Sequence, residues 1–283
     1  MQILGIDFSG AAPDNNTWLA QGSLTDQGLV LDRCRVVRRD ELTEILSSAP
    51  GTAVAALDFP FSVPLRFARY WLPGVENMTQ LWDAAADMDL PQFMELSDEF
   101  VARHGEPKRI IDMAHTESYS CLHKVNPNMV PMTFRGMQML SRLWPAGCDV
   151  PPLPAQDAEG AVLLEVMPGA VLRALGLPFK GYKGGSRNLE RRELILAELP
   201  QCSPVAITNL EEFRDLCISS HDCLDAIVAA LAAALWATVP TLFRLPDTGE
   251  GVNTGPVSLA TPLATLMVEG WLYAPSRGPS YPT

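Results

Sequence analysis

The chain has 283 residues, of which 33 are acidic and 21 basic, so its formal net charge is −12. Apolar residues make up 47% and charged residues 19%, a balance typical of a folded protein that excludes a disordered or fibrous one. The length allows one or two domains with a large core. The acidic balance excludes a general nucleic-acid coat protein, which needs a broad excess of Lys and Arg to displace counterions.

No secretory signal is predicted at the N-terminus, because an acid already stands at Asp7 and no basic segment precedes it. The longest apolar run, Ala226–Val239, has 14 residues and is rich in Ala. It is shorter than the roughly 20 residues that a bilayer requires, so it predicts a buried helix. The six cysteines include no Cys-x-x-Cys pair and are interpreted as reduced thiols. We therefore expect a cytoplasmic protein without a membrane partner.

The first part of the chain predicts a mixed sheet. Gln2–Asp7 is a short apolar run that ends in an acid, which predicts a buried strand. Thr17–Ser23 and Leu29–Val37 are predicted to be two further strands, separated by a polar turn. Together with Gln2–Asp7 they predict an antiparallel meander. A short helix follows at Asp40–Ser48. The uninterrupted apolar run Ala53–Asp58 predicts a strand inside a sheet that is covered by helices.

Residues 63–156 interrupt the strand pattern with frequent Pro, Met and aromatic residues. Helices are predicted within this region at Met78–Ala86, Pro91–His104 and Met132–Trp144. The region begins shortly after the strand that ends in Asp58 and ends shortly before the strand that carries Glu165. We therefore predict a mostly helical insertion that forms a lid beside any site at the strand ends.

The C-terminal part returns to alternating strands and helices. Its predicted elements are a strand at Ala161–Val166, helices at Ala170–Leu175 and Asn188–Leu199, a long helix from His221 to about Ala237, a final strand at Met267–Tyr273 and a loose tail at 275–283. The predicted fold class is α/β, with strands of both directions flanked by helices and residues 1–283 forming one domain.

Acids recur where the predicted strands end. Asp7, Asp58 and Glu165 close three apolar strands, while Asp222 and Asp225 share one face at the start of the Ala-rich helix. Clustered carboxylates repel each other unless a hard cation such as Mg²⁺ or Mn²⁺ neutralises them. Each acid also has a simpler interpretation: a helix cap for Asp222, a turn for Asp7 or Asp58, and a salt bridge for Glu165.

Four motifs together are similar to those of the DUF429 family, which is regarded as a family of nucleases with an RNase H-like fold. They are Gly5–Gly10, Ala56–Phe61, Glu165–Pro168 and His221–Ala226. The order of the acids also resembles that of RuvC-type Holliday junction resolvases. The resemblance therefore implies an RNase H-like mixed sheet, in which an antiparallel meander continues into parallel strands.

The same resemblance implies roles for individual acids. Carried over from the RuvC-type enzymes, the metal ligands are Asp7, Asp58, Asp222 and Asp225. They would also be the catalytic residues, together with Glu165, an extra acid without a firm counterpart. The fourth strand ends in Asp58 where RuvC-type enzymes have Glu, and this shorter side chain alters the reach to one metal.

Two groups of cations are candidates for substrate binding. Lys180, Lys183 and Arg187 lie in a glycine-rich stretch that is suited to cradling a phosphate, although a solvated loop is an equal alternative. In the insertion, Arg135 or Lys124 is predicted to face the carboxylates.

These features favour a divalent-metal-dependent nuclease or phosphodiesterase that acts on a nucleic acid or a nucleotide. The charge of −12 suits a small or single-stranded substrate better than a long duplex. Two alternatives stay open: a phosphotransferase of the actin and sugar-kinase type, using residues 7–10 as a phosphate turn, and a non-catalytic binding protein on the same fold. The sequence leaves the oligomeric state undetermined.

Overall fold

Five strands form one mixed sheet in the computed structural model, which describes residues 1–115, 118–156, 159–184, 188–243 and 262–276. The spatial order is β3-β2-β1-β4-β5. The strands are β1 (Gln2–Asp7), β2 (Thr17–Thr25), β3 (Gly28–Val37), β4 (Val54–Asp58) and β5 (Val162–Glu165).

Strand β1 lies in the middle of the sheet and joins its two halves. It pairs antiparallel with β2 and parallel with β4, and β4 pairs parallel with β5. The register places Asp7 beside Asp58, so these two strands end at the same edge of the sheet. The predicted combination of an antiparallel meander with parallel strands is confirmed, and so is the α/β fold class.

One face of the sheet is covered by the long helix α10 (His221–Thr238). A Cβ atom on Gly5 would collide with the α10 backbone at Ala226 and Ala230, so the glycine permits this close approach. The apolar composition of α10 meets the hydropathy criterion for a membrane span, but 72% of that segment is buried inside the protein. Its contacts with the sheet identify it as a core helix.

The other helices that follow β5 lie on the same face of the sheet as α10 or beside it. They are α7 (Pro168–Ala174), α8 (Leu189–Cys202) and α9 (Arg214–Ser219), with single turns of 3₁₀ helix at Leu210–Phe213 and Pro240–Leu242. Alternate residues of β1 supply the cores on the two faces: Ile3 packs with α10, and Leu4 and Ile6 point to the opposite side.

The opposite face is covered by α1 and by helices from the segment between β4 and β5. These helices are α1 (Arg39–Ser47), α2 (Leu65–Trp71), α3 (Met78–Ala86), α4 (Leu90–His104), α5 (Ile110–Ala114) and α6 (Met129–Leu143). Helix α6 contacts α1, α3 and α4, so the helices between β4 and β5 pack together on the sheet. The predicted helices of the insertion are present with small shifts at their ends.

The predicted final strand at Met267–Tyr273 is wrong. Helix α11 (Leu263–Glu269) occupies its first half and ends at Gly270, whose φ is 72°. Only Leu272 then forms a parallel bridge, to Glu165. A short apolar run does not distinguish a strand from a helix, which explains the error. Of the predicted tail, residues 277–283 lie outside the described part of the chain.

Candidate metal centre

Three aspartates converge at the ends of β1 and β4. The parallel register brings Asp7 and Asp58 side by side, and Asp225 reaches them from the second turn of α10. One carboxylate oxygen from each lies within 4.8 Å of the other two. Opposite ligands of Mg²⁺ are about 4 Å apart, given Mg–O bonds of about 2.0–2.1 Å. The spacing therefore suits a single divalent ion held by all three.

The electrostatics of the cluster create a need for positive charge. Burial, reinforced by the charge of Asp225, raises the pKa of Asp7 well above its ordinary value. Burial also raises the pKa of Asp58 to about 7, with Asp225 adding to the rise and Lys183 opposing it. The carboxylates are thus poorly solvated and repel one another, a condition that a bound cation relieves.

Asp225 is the most enclosed of the three, with no exposed surface. Its Oδ1 accepts a hydrogen bond of 2.7 Å from the Tyr182 hydroxyl. The Lys183 ammonium lies 2.7 Å from Oδ2, but the angles are not those of a hydrogen bond, so this buried oxygen has no hydrogen-bond donor. The charge pairing with Lys183 leaves lone pairs on this oxygen that a metal ion can also accept, which fits a metal ligand.

Lys183 is the cation that the structure places at the three aspartates. Burial alone would lower the pKa of its ammonium, yet Asp225 and the neighbouring acids outweigh that effect and raise it well above the ordinary value. About half of the side chain (51%) is exposed to solvent, so the ammonium enters the cluster from the open side. Phosphate binding by Lys183 stays a prediction, and the structure places its ammonium at Asp225.

A buried arginine holds the segment that carries Lys183. The Arg192 guanidinium donates to the carbonyl of Tyr182 at 2.8 Å and to that of Gly184 at 3.0 Å, on either side of the lysine. A third hydrogen bond, to the Ile218 carbonyl at 2.9 Å, ties the same guanidinium to the end of α9. Sequence reasoning missed both Tyr182 and Arg192. The tyrosine between two lysines was a usable signal, whereas no feature of the sequence distinguishes Arg192 from Arg191.

Asp222 lies next to the centre but is not one of the three converging acids. Its Oδ1 is 3.1 Å from Nε2 of His221, and about a third of the side chain is exposed. Burial and the charge of Asp225 raise its pKa, while His221 acts in the opposite direction. The Ser220 hydroxyl, not Asp222, accepts the capping hydrogen bond at the start of α10.

Glu165 has a different partner from the three aspartates. Its carboxylate receives two hydrogen bonds from the Arg109 guanidinium, at 2.5 and 2.8 Å, and a third from the backbone of Phe61 at 2.9 Å. Arg109 also binds Asp112 at the start of α5. The simpler interpretation of Glu165 as a salt-bridge residue thus describes its contacts, which connect β5 to the helices before it.

The predicted direction of Arg135 and Lys124 is wrong. Arg135 donates to the carbonyls of Gly10 and Ala11, at 2.5 and 2.9 Å, which occupies its guanidinium with the loop after Asp7. Lys124 pairs with Asp98 at 2.7 Å on α4. Both cations satisfy nearby acceptors, and neither contacts the three aspartates in the described part of the chain.

Lys180, another of the predicted phosphate-binding cations, has a different surrounding from Lys183. The Lys180 ammonium lies over the ring of Phe179, 5.4 Å from its centroid, on an open surface groove. Arg187 lies outside the described residues. Of the two described cations in the glycine-rich stretch, Lys183 is therefore the one found at the carboxylates.

The turn after Asp7 is closed by packing. A Cβ atom on Gly10 would collide with the backbone of Met132 in α6, and Arg39 joins Arg135 in binding the carbonyls of this turn. A Cβ atom on Gly136 would likewise meet the ring of Phe59, so α6 also lies directly on the residue after Asp58. The turn thus presents carbonyls bound by arginine, with no open cradle for a phosphate.

The comparisons with known proteins identify a family. A family model described as "Protein of unknown function (DUF429)" matches residues 5–247, a range that includes all three aspartates and Lys183. Searches of the curated proteins and of the solved structures gave no match. Because the matched range covers most of the 283 residues, the chain belongs to the DUF429 family.

Proposed function

We propose that this protein is a divalent-metal-dependent hydrolase of phosphodiester bonds, with a fold of the RNase H-like kind and a nucleic acid or nucleotide as substrate. The observation that carries the proposal is the convergence of Asp7, Asp58 and Asp225 to within 4.8 Å, with a buried oxygen of Asp225 left without a hydrogen-bond donor. The order of these acids along the chain, which resembles that of RuvC-type enzymes, supports the same assignment.

In this proposal the three aspartates hold Mg²⁺ or Mn²⁺ in an all-oxygen site, the ligand chemistry that these ions prefer. When bound, the ion supplies Lewis-acid stabilisation of charge on phosphate oxygens and lowers the pKa of coordinated water. Asp7 and Asp58 are fixed by neighbouring strands, and Asp225 by a core helix. The ligands are therefore preorganised on rigid elements.

The charge of the protein bears on the substrate. With a net charge of −12, binding of a long duplex through an extended cationic track is disfavoured. Single-stranded nucleic acid or a nucleotide requires only local positive charge, which a metal ion and Lys183 provide at the centre.

We propose a cytoplasmic location for the same protein.

The phosphotransferase alternative is less well supported. It would require the turn at residues 7–10 to receive a phosphate, and there Arg39 and Arg135 bind the backbone carbonyls while α6 fills the space at Gly10. A non-catalytic binding protein would use the same acids and is distinguished only by activity.

The test is a screen of the purified full chain against labelled single-stranded, duplex and branched DNA and RNA, with Mg²⁺, with Mn²⁺ and with a chelator. We expect metal-dependent cleavage that is lost in Asp58→Asn and retained in Asp26→Asn, an exposed turn residue. Metal binding without cleavage of any of these substrates would favour the binding protein. Cleavage by Asp58→Asn equal to that of the wild type would refute the proposed site.

A further inference from the structure

We propose that Lys183 supplies the second positive charge of this centre, so that the protein binds one divalent ion where a two-metal nuclease binds two. The inference rests on the proposed function and specifies its metal stoichiometry. Its basis is the position of the ammonium, 2.7 Å from Oδ2 of the fully buried Asp225, whose carboxylate converges with those of Asp7 and Asp58 to within 4.8 Å.

The charges of the centre balance with one ion. Three carboxylates carry a charge of −3, which one divalent ion and one ammonium neutralise completely. A second divalent ion would leave the enclosed centre with a net charge of +2 while Lys183 stays in place. Burying uncompensated charge is strongly unfavourable, so the lysine and a second ion exclude each other.

The position of Lys183 is built into the fold. Arg192, itself 2% exposed, binds the carbonyls of the residues before and after the lysine. The adjacent Tyr182 is anchored through its hydroxyl to Asp225, the same carboxylate that the ammonium contacts. Three residues earlier, the Lys180 carbonyl is bound by Arg191, and the Lys180 ammonium lies over the ring of Phe179. Lys183 is thus a fixed charge, unlike a cation on a loop that closes over a phosphate.

Among the described residues, no further acid joins the group of three aspartates. The two further acids that the sequence pointed to have other partners: Asp222 faces His221, and Glu165 is bound by Arg109. A two-metal site requires carboxylates that bridge or flank both ions about 4 Å apart. The three aspartates form one ion position. The Lys183 ammonium lies against Asp225, the carboxylate that would have to bridge to a second ion.

Manganese binding by the full chain tests the stoichiometry independently of activity. Calorimetry and electron paramagnetic resonance would be applied to the wild type, to Lys183→Met and Lys183→Arg, and to Lys180→Met as the matched control. We expect one Mn²⁺ per wild-type chain with the six-line spectrum of an isolated ion, and the same for Lys183→Arg and Lys180→Met. Lys183→Met should bind its first Mn²⁺ at least tenfold more tightly, because the repelling ammonium is gone.

The outcomes separate this inference from the proposed function. Two magnetically coupled Mn²⁺ ions in the wild type would overturn the inference and leave the hydrolase proposal standing. Absence of Mn²⁺ binding in the wild type would overturn both. Mn²⁺ binding by Lys183→Met with the affinity and stoichiometry of the wild type would overturn the role of the lysine.

Thermal melting keeps the test decisive if Lys183→Met is unstable without metal. Loss of the ammonium leaves the buried Asp225 and the two partly exposed aspartates beside it without a counter-ion, so the metal-free variant should melt at a lower temperature than the wild type. Saturating Mn²⁺ should recover this loss, because ion and ammonium neutralise the same groups. A loss that Mn²⁺ does not recover would show a structural role for Lys183 and overturn the inference.

Discussion

Replacing Asp58 with Asn should stabilise the metal-free protein while abolishing its response to metal. The carboxylate lies between β1 and β4 next to Asp7, and no hydrogen bond from a protein donor to it is found in the described structure. Its negative charge is therefore unfavourable unless a cation is bound. Asparagine keeps the size of the side chain and removes the charge, so the variant separates repulsion from packing.

The pKa of Asp58 gives the size of this effect and its dependence on pH. Burial and then the charges of Asp225, Glu165 and Asp222 raise that pKa from 3.8 to about 7. A raised pKa means that the folded state favours the protonated acid, so wild-type stability declines as the pH rises from about 4 to about 7. The shift corresponds to about 4 kcal/mol of unfolding free energy above pH 7, and to almost none below pH 4.

Urea unfolding at pH 4.5 and pH 8, with chelator and with saturating Mn²⁺, measures how the Asp58 charge and a bound metal each change the free energy of unfolding. Asp58→Asn should exceed the wild type by up to about 4 kcal/mol at pH 8 in chelator, and by much less at pH 4.5. The wild type, unlike Asp58→Asn, should gain stability from Mn²⁺, by about 2.7 kcal/mol at 100 times the dissociation constant. The exposed Asp26→Asn serves as the control. Strong destabilisation of metal-free Asp58→Asn at pH 8 would refute the reasoning and indicate a structural hydrogen bond.

Three further substitutions test how the fold supports the centre. Arg109→Met should lower the unfolding free energy by about 3–5 kcal/mol, since it leaves the carboxylate of Glu165 buried and unpaired, and Arg109→Met with Glu165→Gln should recover part of that loss in urea unfolding. Tyr182→Phe should cost about 1–2 kcal/mol in the same assay, because Asp225 loses a hydrogen bond inside the protein. Gly5→Ala should prevent the close approach of α10, so the soluble yield and the melting temperature should fall sharply. If one of these variants were as stable as the wild type, the stabilising role proposed for the residue it replaces would be wrong.

The sheet and its three acids could be predicted because local sequence determines them. Short apolar runs that end in Asp7 and Asp58 define neighbouring parallel strands, and strands of that kind end at a common edge. Asp225 follows from the Ala-rich helix, whose small residues permit close contact with the sheet. These features rest on periodicity and composition over a few residues, which a single sequence displays directly.

The partners of the long cations could not be predicted in the same way. Lys183 and Arg135 each have several rotatable bonds, and the acceptors that hold them lie 42 and 125 positions away along the chain. Their direction depends on how α6 and the segment before α8 pack on the sheet, which no local pattern encodes. Glu165 was ambiguous for the same reason, since its partner Arg109 immediately precedes a helix of five residues whose start the sequence does not mark.

These contacts change the interpretation of the helices between β4 and β5. Arg135 binds the loop after Asp7, and Gly136 allows α6 to lie on Phe59, directly after Asp58. Arg109 fixes the same helical region to Glu165 on β5. Each contact restrains the end of a strand that carries an acid, and none brings a cation to the three aspartates. These helices therefore act on the centre by holding its ligands in position, while its positive charge comes from Lys183, in the segment between α7 and α8.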